Sequence, residues 1–121
     1  MLKGSCHCGA QRFEVDAAPS LVTECNCSTC TKRGTVAAFY PAEDVRLQVS
    51  EDRLTAYQCG DRLMTFFHCA TCGCAVYADS PSWDGETLDH DRRRITLNAR
   101  LFDDFDLAAV PVRRVDGKNG W

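Results

Sequence analysis

The chain has 121 residues, 14 basic against 17 acidic side chains, and a net charge of −3. A composition 45% hydrophobic and 26% charged is that of an ordinary globule, which excludes disordered and collagen-like chains. The weak negative charge gives no reason to expect nucleic acid or an anionic membrane as a partner. No apolar run reaches the roughly 18 residues of a membrane helix, and the opening Met1-Leu2-Lys3-Gly4-Ser5-Cys6 lacks a signal-peptide pattern. A cytoplasmic protein with a single domain over residues 1–121 is therefore expected.

Short runs of alternating polar and apolar residues recur along the chain. Gln11-Arg12-Phe13-Glu14-Val15 alternates and then meets a turn at Asp16-Ala17-Ala18-Pro19. One helical turn is predicted near Ser28. Val36-Ala37-Ala38-Phe39-Tyr40 stops at Pro41, Ala42-Glu43-Asp44 reads as a brief turn, and Val45-Arg46-Leu47-Gln48-Val49 alternates again. Leu63-Met64-Thr65-Phe66-Phe67-His68, Ala75-Val76-Tyr77-Ala78 and Ile95-Thr96-Leu97-Asn98-Ala99 are further β-branched or aromatic runs. Each is bounded by Gly, Pro, Asp or Ser, as strands are. Residues 81–94 are polar and charge-rich and read as an exposed loop; residues 101–121 read as a closing loop over the core. No long stretch follows a helical period. The fold class predicted is all-β, or mostly β, with cysteine-bearing corners.

The nine cysteines are the unusual feature. An odd count without a secretory pattern argues against a disulfide framework and for metal. They form three clusters, Cys6-His7-Cys8-Gly9, Cys25-Asn26-Cys27-Ser28-Thr29-Cys30 and Cys69-Ala70-Thr71-Cys72-Gly73-Cys74, with Cys59 apart. Two cysteines one or two residues apart on a tight turn can aim both sulfurs at one tetrahedral ion. Gly9 and Gly73, after Cys8 and Cys72, permit the left-handed turn such a knuckle needs. Two knuckles make a four-sulfur site, so Cys6, Cys8, Cys69 and Cys72 are expected to hold a structural zinc. It would tie the start of the chain to its middle.

Cys25, Cys27 and Cys30 place three thiolates close together with no second knuckle to complete them. Three protein ligands and a vacancy describe a catalytic zinc, and a thiolate-rich zinc favours a soft fourth partner such as a substrate thiol. Alternatives stay open on the residues alone. The run also suits a redox trio, Cys74 or one of His7, His68 and His90 could supply a fourth ligand, and any four-cysteine set can hold iron and sulfide. Cys59 and Cys74 otherwise read as ordinary half-buried thiols. His68 and His90 are acid–base candidates by chemistry only.

The three clusters together, with the sequence from Gly4 to Val15, Gly34 after the middle cluster and Phe67-His68 before the last, resemble the glutathione-dependent formaldehyde-activating enzyme family, which includes the centromere protein V group. The likeness spans nearly the whole chain. It implies an all-β tent of small antiparallel sheets, a structural zinc on Cys6, Cys8, Cys69 and Cys72, and a catalytic zinc on Cys25, Cys27 and Cys30. It also implies formation of S-hydroxymethylglutathione from formaldehyde and glutathione, a carbon–sulfur lyase reaction in reverse. The expected partner is then a small thiol or thiol adduct. A zinc module without catalysis, both metals holding the fold, is the alternative.

Overall fold

A polar residue facing water and an apolar one facing the interior, repeated every two residues, is what sets each strand here. The computed structural model describes residues 1–120; Trp121 lies outside them. Strands β1 (Leu2–Ser5), β2 (Arg12–Val15) and β5 (Val45–Gln48) form a three-stranded antiparallel sheet in the order β1-β2-β5. Its central strand sends Phe13 and Val15 wholly inside, and each such side chain contributes about 2 kcal/mol by leaving water.

The second sheet has seven strands in the order β10-β3-β4-β9-β8-β7-β6. These are β3 (Val22–Cys25), β4 (Ala37–Pro41), β6 (Leu54–Tyr57), β7 (Thr65–Cys69), β8 (Ala75–Trp83), β9 (Leu88–Asn98) and β10 (Val112–Val115). All neighbours are antiparallel except β10, which runs parallel to β3. The fold is mostly β, with two short helices, α1 (Ser28–Arg33) and α2 (Gly117–Gly120). No helix is long and apolar enough to cross a membrane.

Register sorts the large sheet into two faces. Tyr77, Leu97 and Ala38 stand side by side on β8, β9 and β4, and Ile95 and Tyr40 follow on the same face; this face meets the three-stranded sheet across the core. There the Phe102 ring meets Phe13 edge-on at 5.4 Å, with Phe105 beyond it at 5.5 Å. The opposite face carries Phe66, Ala78, Thr96 and Phe39 in one cross-strand row, with Thr23 and Cys25 farther along β3.

Two expectations are corrected. Residues 81–94 do not form a loop: β8 and β9 continue as a hairpin to Trp83 and from Leu88, closed by a turn in which Asp84 accepts from the backbone of Glu86 and Thr87. The arm is wet on both sides, which is why its composition resembles a loop. The C-terminal segment closes over the core through Phe102 as expected, but then forms β10 and α2 rather than irregular chain.

Candidate metal centres

Two sets of metal-capable side chains come together, and they are the two read from spacing. The sulfurs of Cys6, Cys8, Cys69 and Cys72 all lie within 4.8 Å of one another, as do those of Cys25, Cys27 and Cys30. Among the described residues no histidine or carboxylate joins either set, and all nine cysteines are free.

The first set is built by two turns of the same kind. The amide of Gly9 donates to the Cys6 carbonyl at 3.1 Å, and that of Gly73 to the Cys69 carbonyl at 2.8 Å. Both glycines are left-handed, at φ 81° and 83°, a conformation that costs other residues about 1 kcal/mol or more. The amide of Gln11 reaches back to the Cys6 sulfur at 3.4 Å. Cys6 and Cys69 are buried, while Cys8 is exposed and Cys72 half-buried.

Sulfur spacing tests the fit to zinc. Four sulfurs bonded tetrahedrally at about 2.3 Å sit about 3.8 Å apart, whereas a disulfide brings two to about 2.05 Å. Cys6 and Cys8 are 3.7 Å apart, and Cys8 and Cys69 3.6 Å. The four-sulfur set therefore has the dimensions of a tetrahedral site. The backbone favours thiolate at two of the four: the amide of Cys74 leads in drawing the Cys72 thiol down to about 5, and the amide of Cys72 leads in lowering Cys69, whereas at Cys8 the Ala10 amide is outweighed by burial and then Cys69, which push its thiol up to about 11.

The three-sulfur set grows from a strand end and a short helix. Cys25 closes β3, and Cys27 caps α1, accepting from the Cys30 amide at 3.5 Å. The Cys27 amide in turn donates to the Cys25 sulfur at 3.4 Å. Gly34, left-handed at φ 68°, ends the helix by donating to the Cys30 carbonyl at 3.0 Å. Burial alone would push Cys27 up, but the amide and thiol of Cys30 overcome it, and the pKa of Cys27 falls. Burial, then the neighbouring Cys27, pushes Cys30 up to about 12. All three are half-buried, so this set lies nearer the solvent than Cys6 and Cys69 do.

The remaining candidates fall outside both sets. Cys74 lies beside Cys72 in the four-sulfur corner, and its pKa is raised: the His7 amide works to lower it, but burial and then Cys72 prevail. His7 is exposed within its knuckle, and His90 is exposed on the hairpin arm. His68 is half-buried on β7 beside Cys69, its Nδ1 buried without a partner. With Lys32, Arg33, Gly73 and Ala75 it lines a cavity of about 340 Å³ between the two cysteine sets. Cys59 places its sulfur 3.8 Å from the Thr29 hydroxyl on α1. Sequence reasoning left it alone because nothing local ties residue 59 to that helix.

Comparison with known proteins now adds a family. Residues 1–106 match the model of the family described as glutathione-dependent formaldehyde-activating enzyme, so the chain belongs to that family. Its fold is similar to a crystal structure of a Rhodobacter sphaeroides protein, with 27% sequence identity and a TM-score of 0.71 over 91% of this chain and 98% of the other.

Proposed function

We propose that the protein is a zinc-dependent carbon–sulfur lyase-like enzyme of the cytoplasm, acting on a thiol–aldehyde adduct of the S-hydroxymethylglutathione type. In this reading Cys6, Cys8, Cys69 and Cys72 hold a structural zinc, and Cys25, Cys27 and Cys30 hold a second, catalytic one. The observation that carries it is the inequality of the two sets: four sulfurs close one corner, while three stand half-exposed with no fourth side chain among the described residues. Family membership supports the substrate class.

When bound at the trio, zinc would supply a Lewis acid that favours a thiol sulfur as thiolate, both as nucleophile and as leaving group. The chain's own residues do the rest. The amides of Cys27 and Cys30 fix the Cys25 and Cys27 sulfurs in position. The turn at Gly34 closes the short helix that carries Cys30, its amide donating to the Cys30 carbonyl. The forward reaction forms one carbon–sulfur bond and moves the thiol proton to the carbonyl oxygen; the reverse breaks that bond and returns the proton. No oxidant or reductant enters.

The test is the rate at which glutathione and formaldehyde equilibrate, followed by exchange spectroscopy with wild type, Cys27→Ser and buffer alone. Wild type should exceed buffer, and Cys27→Ser should return to it. Equal rates for wild type and Cys27→Ser would leave the zinc module without catalysis as the better account.

A further inference from the structure

Three arginines follow one another on β9, and the structure treats the third differently. Arg92 pairs with Glu43 at 3.6 Å and Arg93 with Asp79 at 2.9 Å. Arg94 has no carboxylate within ion-pair distance among the described residues. Its guanidinium lies over the Phe39 ring, 4.5 Å from the centroid, and that ring is itself exposed. Arg113, on the edge strand β10, is exposed and also lacks an acidic partner among the described residues. Burial, and after it the charge of Arg113, holds the Arg94 pKa below its usual value, so the two cations stand close. Register agrees: Arg113 is aligned with Thr23 and Thr23 with Ala37, and Phe39 follows on the same face of β4, between the two arginines. An exposed aromatic ring is thus flanked by two unpaired cations.

The opposite charge collects on the hairpin arm. Residues 82–91 hold Asp84, Glu86, Asp89 and Asp91 and no lysine or arginine. None of these carboxylates has an ion-pair partner among the described residues. Trp83 and Leu88 are aligned across the arm, 45% and 38% exposed, so an apolar pair sits amid the acids. At the root the register jumps from Pro81–Arg93 to Ser82–Asp89, which leaves His90, Asp91 and Arg92 unmatched and bends the arm. Root and aromatic face adjoin: Arg94 is aligned with Ser80, and Trp83 lies three residues farther, about 10 Å along the strand. The arm leads away from Phe39, so its acids do not serve the arginines of their own chain.

We propose that the Phe39 face seats the arm of a second copy of this chain, each copy extending its arm over the other about a two-fold axis. The pairing goes beyond the lyase reading and does not depend on it. Trp83 covers the Phe39 ring of the other copy, and the arm's carboxylates meet Arg94 and Arg113 there. Because seat and arm adjoin at Arg94, one two-fold rotation satisfies both contacts, and the assembly closes as a dimer. Trp and Arg are side chains that commonly dominate such contacts, and opposite charges fix which surfaces meet.

Sedimentation velocity of the zinc-loaded full chain, over a range of protein concentrations, reads the dimer directly. Wild type should dimerise, and less tightly as salt rises, since exposed charges are screened. Trp83→Ser should weaken association about tenfold or more. Arg113→Glu should weaken it too, as should the double variant Glu86→Lys, Asp91→Lys, because each sets like charges against each other. The mixture is the sharper test. Either charge-reversed protein repels its own kind, but an equimolar mixture restores opposite charges at both contacts and should form a heterodimer. Arg100→Glu, which reverses a charge beyond the other end of β9, should associate as wild type does. All these side chains are exposed, so the variants should keep the fold, which circular dichroism checks. Wild type that stays monomeric would overturn the proposal, whether the face is then bare or takes a different protein. So would a wild-type dimer that Trp83→Ser and Arg113→Glu leave intact, or a mixture that stays monomeric.

Discussion

The sulfurs of Cys8 and Cys69, separated by 61 residues of chain, stand 3.6 Å apart. Cys8 belongs to the turn after β1, and Cys69 ends β7, so the contact joins the small sheet to the large one. A metal there would act as a staple between sheets, whereas a metal at Cys25, Cys27 and Cys30 would join only β3 to its own following helix.

The two sets should therefore fail differently. Structural zinc of this kind is worth on the order of 10 kcal/mol in small domains. Cys69→Ser is expected to abolish cooperative thermal unfolding. Cys27→Ser should keep the wild-type far-ultraviolet spectrum while metal content drops from about two ions per chain to about one. Metal analysis and circular dichroism on both variants check this.

Gln11 should be a second pillar of the same junction. It is wholly buried; its Nε2 donates to the carbonyls of Ser50 and Arg53 at 3.2 and 3.0 Å, and its Oε1 accepts from the Ser50 amide at 2.9 Å. Gln11→Leu keeps the bulk but leaves the Ser50 amide unmet, while the carbonyls of Ser50 and Arg53 lose one of two donors and keep the amides of Arg53 and Ala70. A loss of about 1–3 kcal/mol is expected in urea unfolding, more than the bulk change alone would cause.

Acid should strip the trio. Zinc takes thiolates, and burial, then Cys27, holds the Cys30 thiol up at about 12, so it keeps its proton at neutral pH until metal displaces it. The sign follows: with Cys30 protonated in the metal-free chain, affinity falls as pH falls, about tenfold per pH unit for each proton displaced. Competition with a chromophoric chelator, read at pH 8, 7 and 6 for wild type and Cys27→Ser, isolates the trio by difference. A pH-independent affinity would contradict the assignment.

Gly34→Ala is expected to loosen the same set without touching a sulfur. A Cβ at position 34 meets nothing within 4 Å, so crowding plays no part; the cost is the left-handed φ of 68°. About 1 kcal/mol should be lost, and zinc should leave the trio several-fold faster in a chelator chase. Unchanged release would mean the helix end does not position Cys30.

How far the chain could be read depended on where each signal lies. β2, β4 and β5 alternate because one side of each faces the core, and those runs were legible. Residues 88–93 are all exposed, so β9 has no alternation there and its arm reads as a loop. β10 has no local signal because its strand partner β3 lies far back in the chain and runs parallel to it, and no turn announces such a pairing. Both cysteine sets were legible because ligand spacing is largely local, and Gly9, Gly34 and Gly73 mark their turns.

The parallel pairing of β10 with β3 also sets an order of events during synthesis. Cys72 leaves the ribosome well before Val115, so the four-sulfur corner can fill while the tail is still being made. The strand bearing Cys25 gains its outer neighbour only afterwards, when Asn26 is also met by Asp116 at 2.9 Å. The strand bearing Cys25 thus stays an open sheet edge until the tail is made, although its three sulfurs precede Cys69 and Cys72 in the chain.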